Sequence, residues 1–159
     1  MKADLLVQLE ALLEAELRTI RDAAAATYAA ATHSESKAEN RYDTRGLEAS
    51  YLAGAQKDRV TELEATLASI KRTVPRTFAT HDQIAATALV ELKQNGEPAF
   101  TVFLLHAAAG YTLNSGQLTI KTVTTKAPLG RGLLGRMTGD TAIIEARDEP
   151  RCYEITKVY

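Results

Sequence analysis

Two long segments of this chain place their apolar residues at alternating steps of three and four, and nothing else in the sequence restricts the fold as much. From Asp4 to about Thr32, Leu9, Leu13, Ile20, Ala24, Thr27 and Ala31 recur on one side, with Leu6 and Leu17 beside them. That segment has no glycine or proline, and its AAAATYAAA run is strongly helix-prone. From about Leu47 to Arg72 a second seam runs through Val60, Leu63, Leu67 and Ile70, continuing less cleanly back through Ala53 and Gln56, and Pro75 ends it. Alternating steps of three and four make a coiled-coil seam. Each arm has one apolar stripe and therefore needs one partner, and the nearest is the other arm folded back antiparallel. An arm of about 28 residues is roughly 42 Å long at ~1.5 Å per residue, so the expected product is a thin rod with the linking segment at its far end.

That link, HSESKAENRYDTRGLEAS from His33 to Ser50, contains almost nothing that could enter a core. Glu35, Lys37, Glu39, Arg41, Asp43, Arg45 and Glu48 are all charged. Glu35, Glu39 and Asp43 recur every four positions, so a continuing helix would line them on one face, and a turn would gather them at the end of the rod. Exposed carboxylates can ligate Mg²⁺, a hard cation that keeps several waters. The plainer reading is a solvated turn in which Asp43 N-caps the second helix.

After a connector near residues 73–81 the pattern changes to strands. ATALVELK and PAFTVFLLH flank Asn95-Gly96, a short hairpin signal, and QLTIKTV, DTAIIEA and CYEITKVY follow. Between the third and fourth of these lies APLGRGLLGR, where Pro128 suits a first helical position, Gly135 a stop, and Leu129, Leu133 and Leu134 an apolar face. The reading is α+β: a helical hairpin over 1–74 with its tip near 34–46, then a small antiparallel sheet with one short helix over 75–159. The hairpin satisfies its own seam, so a monomer is expected.

Composition removes several function classes. Net charge is -1, and residues 73–159 carry nine Lys/Arg against eight Asp/Glu, so there is no basic footprint for duplex nucleic acid. Cys152 is the sole cysteine, which rules out an internal disulfide framework or a cysteine-held zinc. The N-terminal charges interrupt any signal-peptide run and no segment approaches ~20 apolar residues, so the expected setting is cytoplasmic, away from membrane. Gly130, Gly132 and Gly135 spell the dinucleotide fingerprint, but another strand follows almost at once, and Ile155 stands where an acidic residue belongs. His33, His81 and His106 have no ligand or nucleophile spacing; His106 reads as a packed strand end and Cys152 as a small hydrophobe in a strand.

Residues 127–140, APLGRGLLGRMTGD, closely resemble the small-Pro-Leu/Ile-x-x-Ala-Leu-Leu/Ile-Gly-Lys-x-x-Gly-Asp motif of the GreA/GreB transcript cleavage factors, and CYEITKVY resembles that family's ending. The layout is similar too: an antiparallel coiled coil followed by a domain of FK506-binding-protein-like fold. The resemblance implies a factor that enters the secondary channel of bacterial RNA polymerase and is not an enzyme alone. Its tip would present acidic residues to the polymerase's Mg²⁺, so that the polymerase cuts backtracked RNA, with no cofactor held stably by the factor and nucleic acid met only through the transcription complex. The family's Asp-x-x-Glu-Asn falls on Ser36 to Asn40: Glu39 and Asn40 match, and Ser36 replaces the aspartate. Glu39 is thus the principal carboxylate, with Glu35 or Asp43 as helper and Glu39 and Asp43 as shared metal ligands. Leu129, Arg131 and Leu133 are candidates for docking on polymerase, with packing beneath the sheet as the better reading of both leucines. The serine favours an alternative, a channel-binding regulator that does not promote cleavage, as in the nucleoside diphosphate kinase regulator type. Prolyl isomerisation ranks last, because its pocket needs aromatic walls and the chain has no Trp and three Phe.

Overall fold

The computed structural model describes residues 1–32, 45–94, 97–145 and 149–159, and only the backbone of residues 30–32, 45–50 and 53. The apolar stripes form the helices they predict: α1 spans Lys2–Thr32 and α2 spans Arg45–Lys71. The chain divides into two compact units, one of Glu10–Ala68 and one of Met1–Leu9 with Ser69–Tyr159, so the division falls inside both helices.

In the helical unit α1 and α2 form an antiparallel pair. Leu13, Leu17 and Leu63 are buried, while Ile20, Ala24, Thr27, Gln56, Val60 and Leu67 are half-buried on the same seams. Small side chains at Ala24 and Thr27 make a shallow seam that water still reaches, and Thr27 Oγ1 turns back to donate to the carbonyl of Ala23 at 2.9 Å. Arg59 joins the two helices, reaching Glu16 Oε1 and Glu62 Oε2 at 2.8 Å each. These hydrogen bonds, Glu16 foremost, hold its guanidinium above the ordinary arginine range. Arg21 and Glu64 form a second pair across the helices.

The other unit is built on six strands: β1 Leu89–Lys93, β2 Phe100–Leu105, β3 Thr112–Ser115, β4 Leu118–Thr124, β5 Thr141–Ile144 and β6 Arg151–Val158, with α3 at Pro128–Leu133. Their order across the sheet is β3-β4-β2-β1-β6-β5. β1 and β2 pair antiparallel as their sequence implies, with Leu89 opposite Phe103; the turn residues Asn95 and Gly96 lie outside the described residues. Two features depart from the expectation. β3 is an additional strand, and it is hard to read because it is four residues long with Leu113 as its one buried apolar residue. It folds onto β4 through a tight turn in which Gly116 has φ +61°, a conformation that favours glycine. β4 then runs parallel to β2, the one parallel pairing among the described residues: β3 takes the antiparallel place beside β4 and returns the chain in the direction of β2.

The apolar run of β2 is continuous because both of its faces are covered. Val102 and Leu104 join Val90, Leu92, Ala142, Ile155 and Leu133 of α3 in one core, with Phe78 and Ile84 from the connector. Phe103 and Leu105 face the other way and are fully buried. The start of α1 reaches this unit's edge, where Gln8 Oε1 accepts from the Asn114 N–H at 2.8 Å, and Leu5, Leu6 and Leu9 are buried. His106, read as packed, is exposed just past the end of β2, and Cys152 lies on the exposed face of β6. Among the described residues no helix is long and apolar enough to cross a membrane.

Candidate functional site

Residues 127–140 fold as one closed device. Ala127 precedes α3 without a side-chain cap, and Pro128 fills the first turn, where a missing N–H is harmless. Leu134 N–H returns to the carbonyl of Gly130 at 3.1 Å, and Arg136 Nε donates to the Gly132 carbonyl at 3.1 Å, covering carbonyls of the helix end. Gly135, at φ +76°, lets the chain turn so that its N–H meets the carbonyl of Ile84 at 2.9 Å. Asp140 closes the next turn by accepting from the Met137 N–H at 2.8 Å, and Gly139 N–H and the Asp140 carbonyl bond to Ile155 in β6. The two inner glycines follow from how closely α3 lies on the sheet. A Cβ on Gly130 would sit 2.0 Å from the Thr124 carbonyl oxygen, and one on Gly132 would sit 2.2 Å from Ile144 Cδ1.

Leu133 is fully buried in the core beneath the sheet and has no surface to offer, and Leu129 is half-buried against the same core. Arg131 is exposed, and the apolar surface beside it comes from Leu134 and Met137, 40% and 39% exposed. The tip residues Glu35, Ser36, Glu39, Asn40 and Asp43, and His33, lie outside the described residues. Among the described residues no group of three or more His, Cys, Asp or Glu side chains is placed to hold a metal ion. The phenylalanines are taken by packing: Phe78 and Phe103 are buried, and Phe100 meets Tyr153 edge-on at 5.9 Å.

Sequence reasoning missed a cleft of ≈ 740 Å³ in the sheet unit, lined by residues from the end of α2, the connector and the ends of three other segments, Arg72, Arg76 and His106 among them. These positions are far apart in the chain, and no linear spacing announces them. Beside the cleft, Lys2 Nζ donates to the Arg76 carbonyl at 2.6 Å and lies 4.5 Å from the Phe78 ring centre. Burial, and then the neighbouring Arg76 charge, lower the Lys2 amine to about 8.

Among solved structures the chain is similar to Gfh1, described as a transcription factor, at 18% identity over 94% of this chain and 92% of that one, with a TM-score of 0.41. It is likewise similar to GreA factor homolog 1 (Gfh1) of Thermus thermophilus, at 20% identity over 94% of each chain and a TM-score of 0.39. A prokaryotic transcription elongation factor GreA/GreB from Nitrosomonas europaea matches at 18% identity over 60% of this chain and 78% of that one, with a TM-score of 0.39. No family model matches the sequence, and no curated protein does.

Proposed function

We propose that this protein is a secondary-channel factor of bacterial RNA polymerase that stimulates the polymerase's own cleavage of backtracked RNA. The observation that carries the reading is the segment 127–140, whose resemblance to the cleavage-factor motif is matched by a sheet domain built around it and by a pair of long helices joined through a charged link that holds Glu35, Glu39 and Asp43. In this reading the helical pair is a spacer, and its thinness is its function: two helices whose seam passes from leucines to the small residues Ala24 and Thr27 fit a channel that a bulkier bundle could not enter. Glu39 lends a carboxylate to a weakly held Mg²⁺ of the polymerase, with Asp43 or Glu35 as a second oxygen donor and Asn40 beside it. Held there, the metal would supply Lewis-acid chemistry to the polymerase's own reaction, and the factor's part would be to lend it oxygen ligands. Arg131, with the exposed edge of Leu129, docks the sheet domain outside the channel. The factor acts as a monomer, in the cytoplasm with the polymerase.

A second reading has the protein occupying the same channel without promoting cleavage. Ser36 favours it, since a hydroxyl is a neutral, weak ligand where the family motif has an aspartate. A transcript-cleavage assay on stalled, backtracked polymerase separates the two. The protein should accelerate cleavage, Glu39→Ala should abolish the acceleration while binding to polymerase persists, and Asp43→Ala should weaken it. Cleavage no faster than with polymerase alone, despite binding, would establish the regulator instead. Failure to bind polymerase would overturn both.

A further inference from the structure

We propose that the cleft of the sheet unit is a binding site for a small organic phosphate of about nucleotide size, a role independent of the polymerase reading. The cleft's ionisable lining is entirely basic: Arg72 and Arg76 from the stretch that follows α2, and His106 from the end of β2. No carboxylate lines it, and among the described residues neither arginine is in an ion pair. The Arg76 guanidinium lies over the Phe78 ring, 5.0 Å from its centre, a contact that leaves its N–H edge open. Guanidiniums without a carboxylate partner around a concavity are the usual apparatus for a phosphate, because their planar fork meets two oxygens at once. The end of α2 contributes about half a negative charge to the same region. Two of its last carbonyls are already taken, however, Ile70 by the Thr73 N–H at 2.9 Å and Ser69 by Thr73 Oγ1 at 3.0 Å. Two full positive charges outweigh what remains.

Arg76 is also held in place. Its N–H donates to Thr87 Oγ1 at 2.9 Å, and Lys2 occupies its carbonyl. Thr87 itself lines the cleft at φ +72°, a region that a β-branched residue enters only under constraint, and it is pinned from behind by its own N–H on the Leu104 carbonyl at 2.7 Å. The structure thus tolerates strain at the residue that fixes an arginine's backbone.

Size and lining decide between an ester and a bare anion. A volume of ≈ 740 Å³ far exceeds what inorganic phosphate fills and falls in the range of small-molecule sites. Val74, 80% exposed, and Leu134, 40% exposed, give the cleft an apolar wall with nothing on it. An organic group carried on the phosphate would cover that wall while the arginines take the charge.

The test is isothermal titration calorimetry of the full chain with adenosine diphosphate and, separately, inorganic pyrophosphate. The expected result is saturable binding of both, tighter for adenosine diphosphate and weakened by added salt. Arg72→Ala and Arg76→Ala should each weaken the binding by about tenfold or more, as loss of a charge-assisted pair does. Arg18→Ala, an exposed arginine of the helical unit, should leave it unchanged. Both cleft arginines are exposed, and unchanged circular dichroism will show that the variants are folded. No saturable binding of either probe, or equal binding by the Arg72→Ala/Arg76→Ala double variant, overturns the site. Pyrophosphate bound as tightly as adenosine diphosphate overturns the organic part.

Discussion

Glycine at 130 and at 132 looks, in sequence, like weakness: each loosens a helix by about 1 kcal/mol relative to alanine. In the fold both mark how closely α3 approaches the sheet, and they differ in what they touch. The atom facing Gly130 is the Thr124 carbonyl oxygen, which is already held by the Ala127 N–H at 3.0 Å and belongs to backbone at the end of β4. It cannot retreat without moving the strand. Gly130→Ala should therefore destabilise the protein by about 3 kcal/mol or more, at the upper end of overpacking costs. Gly132 faces the tip of Ile144, a half-buried side chain that can rotate aside, so Gly132→Ala should change stability by no more than about 1 kcal/mol once helix propensity is counted. Urea unfolding of the two variants compares them directly, and a Gly130→Ala protein as stable as the wild type would contradict the packing argument. The same close approach explains why Leu133 was only half legible. Its place on an apolar helix face is plain from spacing, but whether that face meets a partner or the sheet depends on strands distant in the chain.

At the level of elements, periodicity was an adequate guide where a single face is buried. Among the described side chains, which leave out Ala31 and Ala53, the seams of α1 and α2 fall on the residues whose three-and-four spacing names them, because a helix with one apolar stripe has one way to hide it. β3 failed the same test for a physical reason: an edge strand of four residues pairs through its backbone and leaves little pattern in its side chains. The uneven part of the α2 seam, Gln56, has its own consequence. Its Oε1 is buried and without a hydrogen-bond partner among the described residues. An unsatisfied buried polar atom costs about 1–3 kcal/mol, and a leucine of similar volume removes the cost while extending the seam of Val60 and Leu63. Gln56→Leu should thus raise the thermal unfolding midpoint of the helical unit, followed by circular dichroism at a helix wavelength. A midpoint that stays the same or falls would mean that Gln56 finds a partner in solution.

For the whole molecule, the change from helical to strand pattern puts a boundary at residues 74 and 75, whereas the compact units divide at 9/10 and 68/69. Sequence pattern marks where secondary structure changes type, and compactness marks which residues share a core; a helix that starts in one unit and ends in the other separates the two. The first nine residues bring Leu5, Leu6 and Leu9 to the sheet unit, and the end of α2 brings Ile70, all at most 5% exposed. Gln8 and Lys2 add hydrogen bonds to Asn114 and Arg76. Burial of each such side chain contributes about 1.5–3 kcal/mol, so the four together rival the 5–15 kcal/mol that an ordinary domain has in total. A fragment of residues 75–159 should accordingly be unfolded or molten at temperatures where the full chain is native. A synthetic peptide of residues 1–12 added to a fragment of residues 69–159 should restore cooperative unfolding in proportion to its concentration, as binding to the native state requires. Calorimetry reads both outcomes. Cooperative melting of 75–159 alone at the full chain's temperature would place the folding boundary where the strand pattern begins, and would reduce the first turns of α1 to an appendage of the sheet.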